Sequence, residues 1–211
     1  MANAKFADYK GALKRCLIAG AAILAVAGMP AHAQQDKKGS AGKEMGPADQ
    51  EAAELIGLFS EICLHKFPED DAIKAHMRDA KNEEMRIDQV AQFLRTDPGI
   101  GWFRHGERGQ YAVTLQFPPD HACAVRKMFR TAPKPSFGLA FQQLVKASSA
   151  DQGTQSKALK PRAMSFGEIR SVMYPMEIRP AKGRMELISQ FVTSYKNGIT
   201  EIRLVRQIPA K

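Results

Sequence analysis

Cys63-Leu64-His65 and His121-Ala122-Cys123 mirror each other along the chain and together offer two sulfurs and two imidazoles. That donor set suits zinc in a tetrahedral site or copper in a softer one. Spacing counts against one shared ion: on a helix, residues i and i+2 point about 200° apart, so Cys63 and His65 do not chelate together, whereas His121 and Cys123 on a strand would share a side. The same cysteines support a simpler chemistry. Of the three cysteines, Cys16 lies in a segment expected to be removed, which leaves Cys63 and Cys123 as an even pair for one disulfide in an oxidising compartment. Such a bridge closes a loop of about 60 residues, worth about 4 kcal/mol through the entropy of the unfolded chain. Metal ligation by Cys63, His65, His121 and Cys123 stays open as the alternative, and no other cofactor is expected.

Signatures of catalysis are missing from the sequence. Ser165 and Ser171 lack the Gly-x-Ser-x-Gly elbow, no Gly-rich loop precedes a helix to cradle phosphate, no His-Glu-x-x-His pair occurs, and there is no Cys-x-x-Cys. Asp70-Asp71 and Glu83-Glu84 are adjacent carboxylates of the kind that complement a helix N-terminus. His105 and Glu107 sit together near a turn, and Trp102 with Phe103 reads as a core anchor. An enzyme, a hydrolase for example, would need a pocket that gathers His105, Glu107, His121 or another convergent polar set.

The first 33 residues set the expected environment. Lys5, Lys10, Lys14 and Arg15 form a positive start, the uncharged run Cys16 to Met29 is shorter than the roughly 20 residues that span a bilayer, and Ala31-His32-Ala33 offers small residues for cleavage between Ala33 and Gln34. Residues 1–33 are thus expected to be a signal peptide, the mature chain to be periplasmic or secreted, and no transmembrane anchor to remain. Gln34 to Pro47 is polar and aperiodic, so residues 34–48 are expected to be a flexible linker and 49–211 one domain.

Charge is uneven along that mature chain. Lys and Arg against Asp and Glu number 16 and 17 over residues 34–156, a net of −1, but 11 and 4 over 157–211, a net of +7. The basic excess at the C-terminal end would draw an anionic partner such as lipid headgroups or lipopolysaccharide, or else serve as a solvated face. Nucleic acid is not expected, because an exported chain with no binding motif offers nothing to read it.

The elements that must position these residues follow from periodicity. Leu55, Ile56, Phe59, Ile62 and Cys63 form one stripe of a helix over Glu51 to Phe67, ended by Pro68. A second helix begins at Glu69-Asp70-Asp71 and buries Ile73, Met77 and Ala80. A third runs from Arg86 to Arg95, burying Ile87, Val90, Phe93 and Leu94, and stops at Asp97-Pro98-Gly99. The period then falls to 2. Tyr111, Val113, Leu115 and Phe117 alternate with Ala112, Thr114 and Gln116, the pattern of a strand with one face on a core, and Trp102 to Arg104 pairs with it across His105 to Gly109. His121 to Lys127 leans to strand, and Phe137 to Lys146 is a helix with Leu139, Phe141, Leu144 and Val145 as its apolar surface. A polar loop, Ala147 to Pro161, precedes a strand Met164 to Tyr174 with Gly167 as a bulge and Pro175 and Pro180 at an edge or turn. Met185, Leu187, Phe191 and Tyr195 share the parity of a further strand, Asn197-Gly198 signals a type I′ hairpin, and Ile202, Leu204 and Val205 return. Helices first and strands later give an α+β fold with N-terminal helices on an antiparallel sheet.

Over roughly Glu51 to Phe129 the chain resembles an uncharacterised family of small exported proteins and lipoproteins of Gram-negative bacteria. The resemblance rests on Leu58-Phe59 to Cys63, Phe67-Pro68, Asp97-Pro98-Gly99-Ile100-Gly101-Trp102, Pro118-Pro119 and Cys123-Ala124-Val125-Arg126. It implies no activity and transfers no functional residue, and Gln34 stands where a lipoprotein would carry its lipid-bearing cysteine. The expected role is a non-enzymatic binding or interaction module of the cell envelope, with a motif-free periplasmic enzyme and a metal-binding protein as the other two classes.

Overall fold

The computed structural model describes residues 45–79 and 82–210. The expected signal peptide, its Ala33/Gln34 cleavage point, most of the linker and the expected burial of Ala80 lie outside the described residues. Among those described, the elements in chain order are α1 (Pro47–Phe59) continuing into a π-helical turn (Ser60–Leu64), α2 (Asp70–Asp79), β1 (Glu83–Glu84), α3 (Ile87–Leu94), β2 (Gly99–Gly106), β3 (Gly109–Gln116), β4 (His121–Phe129), α4 (Ser136–Asp151), β5 (Gln155–Ala158), β6 (Arg162–Phe166), β7 (Ile169–Arg179), β8 (Glu186–Ser194) and β9 (Thr200–Ile208). The fold is α+β. One antiparallel sheet runs β1-β2-β3-β4-β9-β8-β7-β5, with β6 also paired to β7.

Helix α1 forms because Ala52, Leu55 and Phe59 recur at helical spacing and are buried, with Pro47 pre-set for the first turn. The π turn follows, closed by the His65 N–H donating to Ser60 O at 3.2 Å. A turn bonded at i→i+5 holds more residues, so neighbours lie closer in angle, and Ile62, Cys63 and Leu64 are all buried in succession. This face of the sheet carries the main core: Phe59, Ile62, Ile73, Met77 and Phe141 from the helices meet Val113, Leu115, Val125, Ile202 and Leu204 from the strands. Trp102 belongs to it as well, as expected of a core anchor.

Several expectations give way to tertiary packing. Ala112 and Thr114 were expected on a solvent face of their strand but are buried, because α3 crosses that side and forms a second, smaller core of Met85, Val90, Leu94 and Ala112. Ile87, expected inside, is 88% exposed at the first position of α3. Helix α4 continues to Asp151, and β5 follows, where a polar loop was expected; Ser149 continues its buried side by donating to Val145 O at 2.8 Å. Leu139 points outward from α4, 63% exposed.

The expected single strand Met164 to Tyr174 is two strands, β6 and β7, turned at Gly167 (φ 61°) and Glu168. Gly167 is thus a hairpin turn, since a positive φ suits glycine there. Pro175 falls inside β7, yet at the joint where β6 stops (Arg162↔Met173) and β5 begins (Ala158↔Met176), so its missing N–H leaves no ladder bond unmade. In β8 the parity is reversed from expectation: Ile188 and Gln190 face the helices, while Leu187 and Phe191 face the other way. At Asn197-Gly198 only Gly198 takes a positive φ, 80°, so the five-residue connection is not a type I′ turn.

Candidate functional site

Strand alternation sends every second residue to the face away from α1, α2 and α4, and register then aligns those residues in rows. One row reads Ala112↔Arg126↔Arg203↔Phe191↔Met173↔Arg162 across β3, β4, β9, β8, β7 and β6. The next reads Thr114↔Ala124↔Val205↔Ser189↔Pro175. With Phe93 and Leu94 of α3 on one side and Leu159 on the other, these rows line a groove of about 230 Å³. Its floor is mostly apolar, and three arginines stand in a single file across it.

Two of those arginines stand against each other, Arg126 buried and Arg203 half-buried. Arg126 is 8% exposed, with its guanidinium 4.6 Å from the Phe93 ring centroid; Arg203 lies 4.2 Å from that of Phe191. Directly opposed like charges on neighbouring strands repel. The partner supply is thin: Arg126 Nη1 is 3.7 Å from Glu201 Oε1, and its Nη2 donates to Thr114 Oγ1 at 3.5 Å. Both Nε atoms, of Arg126 and of Arg203, are buried without a hydrogen-bond partner. Glu201 stands one row away and also accepts from Tyr195 OH at 2.8 Å. Burial first, then Arg203, pushes the Arg126 guanidinium down to about 10, against the pull of Glu201; it stays charged at neutral pH. Burial likewise pushes Arg203 below its ordinary value. One buried and one half-buried cation to one nearby carboxylate leave the groove net positive.

The residues singled out from the sequence go elsewhere. Cys63 and Cys123 form the expected disulfide, Cα atoms 5.5 Å apart, which ties the π turn to β4. Both sulfurs are therefore occupied, His65 is exposed, and His121 Nε2 is 2.7 Å from Asp70 Oδ1, so the structure does not assemble the four-ligand set Cys63, His65, His121 and Cys123. No group of three or more metal-type ligands occurs among the described residues. His105 and Glu107 are exposed beside the β2–β3 turn, where the Glu54 carboxylate accepts from the N–H groups of Glu107 (2.8 Å) and Arg108 (3.0 Å) and from Tyr111 OH (2.7 Å). That carboxylate fastens the turn to α1, and a Cβ at Gly106 would overlap it. The structure does not bring His121 to His105 and Glu107.

A wider slot of about 510 Å³ lies on the helix side between the start of α4 and strands β7 to β9, lined by Phe137, Leu139, Val192 and Ile202. Its charged member, Lys134, is already bonded to Asp49 at 2.6 Å, so the slot presents no unmet polar demand. The arginine groove does, and it is the better candidate despite being smaller. Sequence reasoning missed Arg126 and Arg203 as site residues. The available signal was a charged residue inside an otherwise apolar alternation, Val125-Arg126 and Ile202-Arg203-Leu204, which no motif marks. No protein-family model, curated protein or solved structure matches the chain.

Proposed function

We propose that this chain is a non-enzymatic binding module of the bacterial cell envelope whose groove takes an anionic group, carboxylate or phosphate, carried on an apolar body. The observation that carries the reading is the Arg126–Arg203 pair: two adjacent guanidinium groups, each with a buried Nε lacking a partner. A bound anion would supply the missing acceptor and relieve their repulsion, while Phe93, Ala124, Met173, Phe191 and Val205 would receive the apolar part. The lining offers the hydroxyls of Thr114 and Ser189 but no carboxylate, imidazole or thiol, which favours holding a ligand over transforming one. The volume is below the roughly 300 to 1,000 Å³ of drug-sized sites, which suits a headgroup and the first part of a tail. An exported setting, expected from residues 1–33, would supply such ligands as fatty acids and lipid phosphates.

Calorimetric titration with a short-chain fatty acid, the matching alkyl phosphate and the matching alcohol tests this. The two anions are expected to bind and the alcohol not to, with affinity falling at least tenfold in Arg126→Met and in Arg203→Met. Equal binding of the alcohol, or anion binding unchanged in both variants, would overturn the reading.

A further inference from the structure

We infer that the β6–β7 hairpin is a membrane-docking element that seats the domain on a bilayer containing anionic lipid. Strand β6 pairs with β7 alone, and all five of its residues are exposed. Register puts Phe166 opposite Ile169 and Met164 opposite Ser171, so Met164, Phe166 and Ile169 share one side of the hairpin end. They are 36%, 67% and 37% exposed. Three large apolar side chains grouped at one exposed hairpin end exceed the scattered apolar exposure expected of a folded surface.

The charge around them is mostly positive. From Lys160 to Arg170 there are three cations, Lys160, Arg162 and Arg170, against one acid, Glu168. Glu168 is itself ion-paired with Lys196, which brings a fourth cation to the tip. Arg170 lies opposite Ser165, one residue behind Phe166, or about 3 Å along the strand, and Arg162 stands about 13 Å behind. The polar headgroup layer is about 5 to 7 Å thick on each side of a bilayer. With Phe166 at the hydrocarbon boundary, Arg170 reaches phosphate depth, and Arg162 remains within the roughly 10 Å over which surface charge acts.

The same charges disfavour the other ready occupant, a second copy of this chain added at the free β6 edge. Edge pairing of two hairpins would set Lys160, Arg162 and Arg170 of each against those of the other, and Pro161 removes a donor just before the strand. The docking does not depend on the groove holding a ligand. It rests on the exposed hairpin end, beyond Arg126 and Arg203 on the same face, and vesicle binding fails separately because it does not need that pair.

The test places a reporter at the tip of the full chain, Phe166→Trp, with the wild-type signal of buried Trp102 as its baseline. Vesicles of phosphatidylglycerol mixed into phosphatidylcholine are expected to shift that emission to the blue, and lipids brominated in the acyl chain to quench it. Phosphatidylcholine alone and high salt should abolish both effects. Arg170→Glu combined with Lys196→Glu, neither of which lines the groove, should weaken vesicle binding at least tenfold, since each cation near an anionic surface is worth roughly fivefold. Because these side chains are exposed, circular dichroism should report an unchanged fold. No spectral response to anionic vesicles, or a concentration-dependent dimer that shields the reporter without lipid, overturns the inference.

Discussion

The helix-covered face of the sheet and its open face both bury arginine, and they treat it differently. Arg206 and Arg126 are each 8% exposed. Arg206, on the helix side, donates from Nε to Glu186 Oε2 at 2.6 Å and from Nη1 to the carbonyls of Cys63 (3.2 Å), Leu64 (2.9 Å) and Phe67 (3.0 Å). Those carbonyls belong to the end of the π turn and its exit, where a helix has acceptors and no donors of its own. Arg126 and Arg203, on the open side, face each other with one carboxylate between them and nothing on either Nε. Equal burial with unequal satisfaction separates a guanidinium that holds the fold from one whose partner is missing, and only the second marks a place where a ligand is due.

The comparison breaks most visibly at Arg206. Arg206→Met leaves the half-buried Glu186 carboxylate without its cation and three carbonyls without a donor, so urea unfolding should show a loss of about 3 to 5 kcal/mol. A loss below about 1 kcal/mol would mean that the helix-side arginine is no better used than the others. Next in size is the bridge beside it. Cys63→Ala with Cys123→Ala should cost about 2 to 4 kcal/mol, read as a lower denaturant midpoint that reduction of the wild type reproduces. Arg126→Met should do the opposite of Arg206→Met: it removes a repulsion and a desolvated charge, and stability should stay within about 1 kcal/mol of wild type or rise. A large loss there would place Arg126 with the structural arginines and remove the contrast.

The smallest effect is a pH slope. Burial and the Glu201 hydrogen bond push the Tyr195 phenol up from 10.0 to about 12. The fold favours the neutral phenol, so this contribution is complete below pH 10 and is lost as pH rises toward 12. Arg126 acts with the opposite sign: its folded value is depressed to about 10, so its buried charge costs stability at neutral pH, and the cost is relieved above about 10. Stability measured from pH 9 to 11 should therefore decline less steeply in Tyr195→Phe than in the wild type, and an unchanged slope would show that the phenol is not held neutral by the fold.

How much of this was legible follows the same two faces. The stripes Leu55, Phe59, Ile62, Cys63 and Tyr111, Val113, Leu115 announce the helix side, because burial there is a matter of apolar periodicity. The cysteine pair is legible for a similar reason, since an even count needs no geometry. The open side is different. Nothing local in Glu186 to Ser194 says which parity faces α4, and Ile188 rather than Leu187 wins that side only once α4 is in place. Arg203 and Arg206 are three residues apart in β9 and so go to opposite faces, one to the groove and one to the helix end. Their unequal partners come from β4, β8 and the π turn, which lie 77 and 20 residues away for Arg203–Arg126 and Arg206–Glu186, and 143 for Arg206–Cys63.

The position of β9 has a consequence for the order of events during synthesis. Among the described residues it is the last strand in chain order, yet it lies in the interior of the sheet, between β4 and β8. Until it emerges, the long β4 and β8 edges stand apart with their N–H and C=O groups unpaired, and the carbonyls that Arg206 bonds wait for a residue more than a hundred positions later. The sheet thus stays in two open, edge-exposed halves until β9 arrives and joins both in one step.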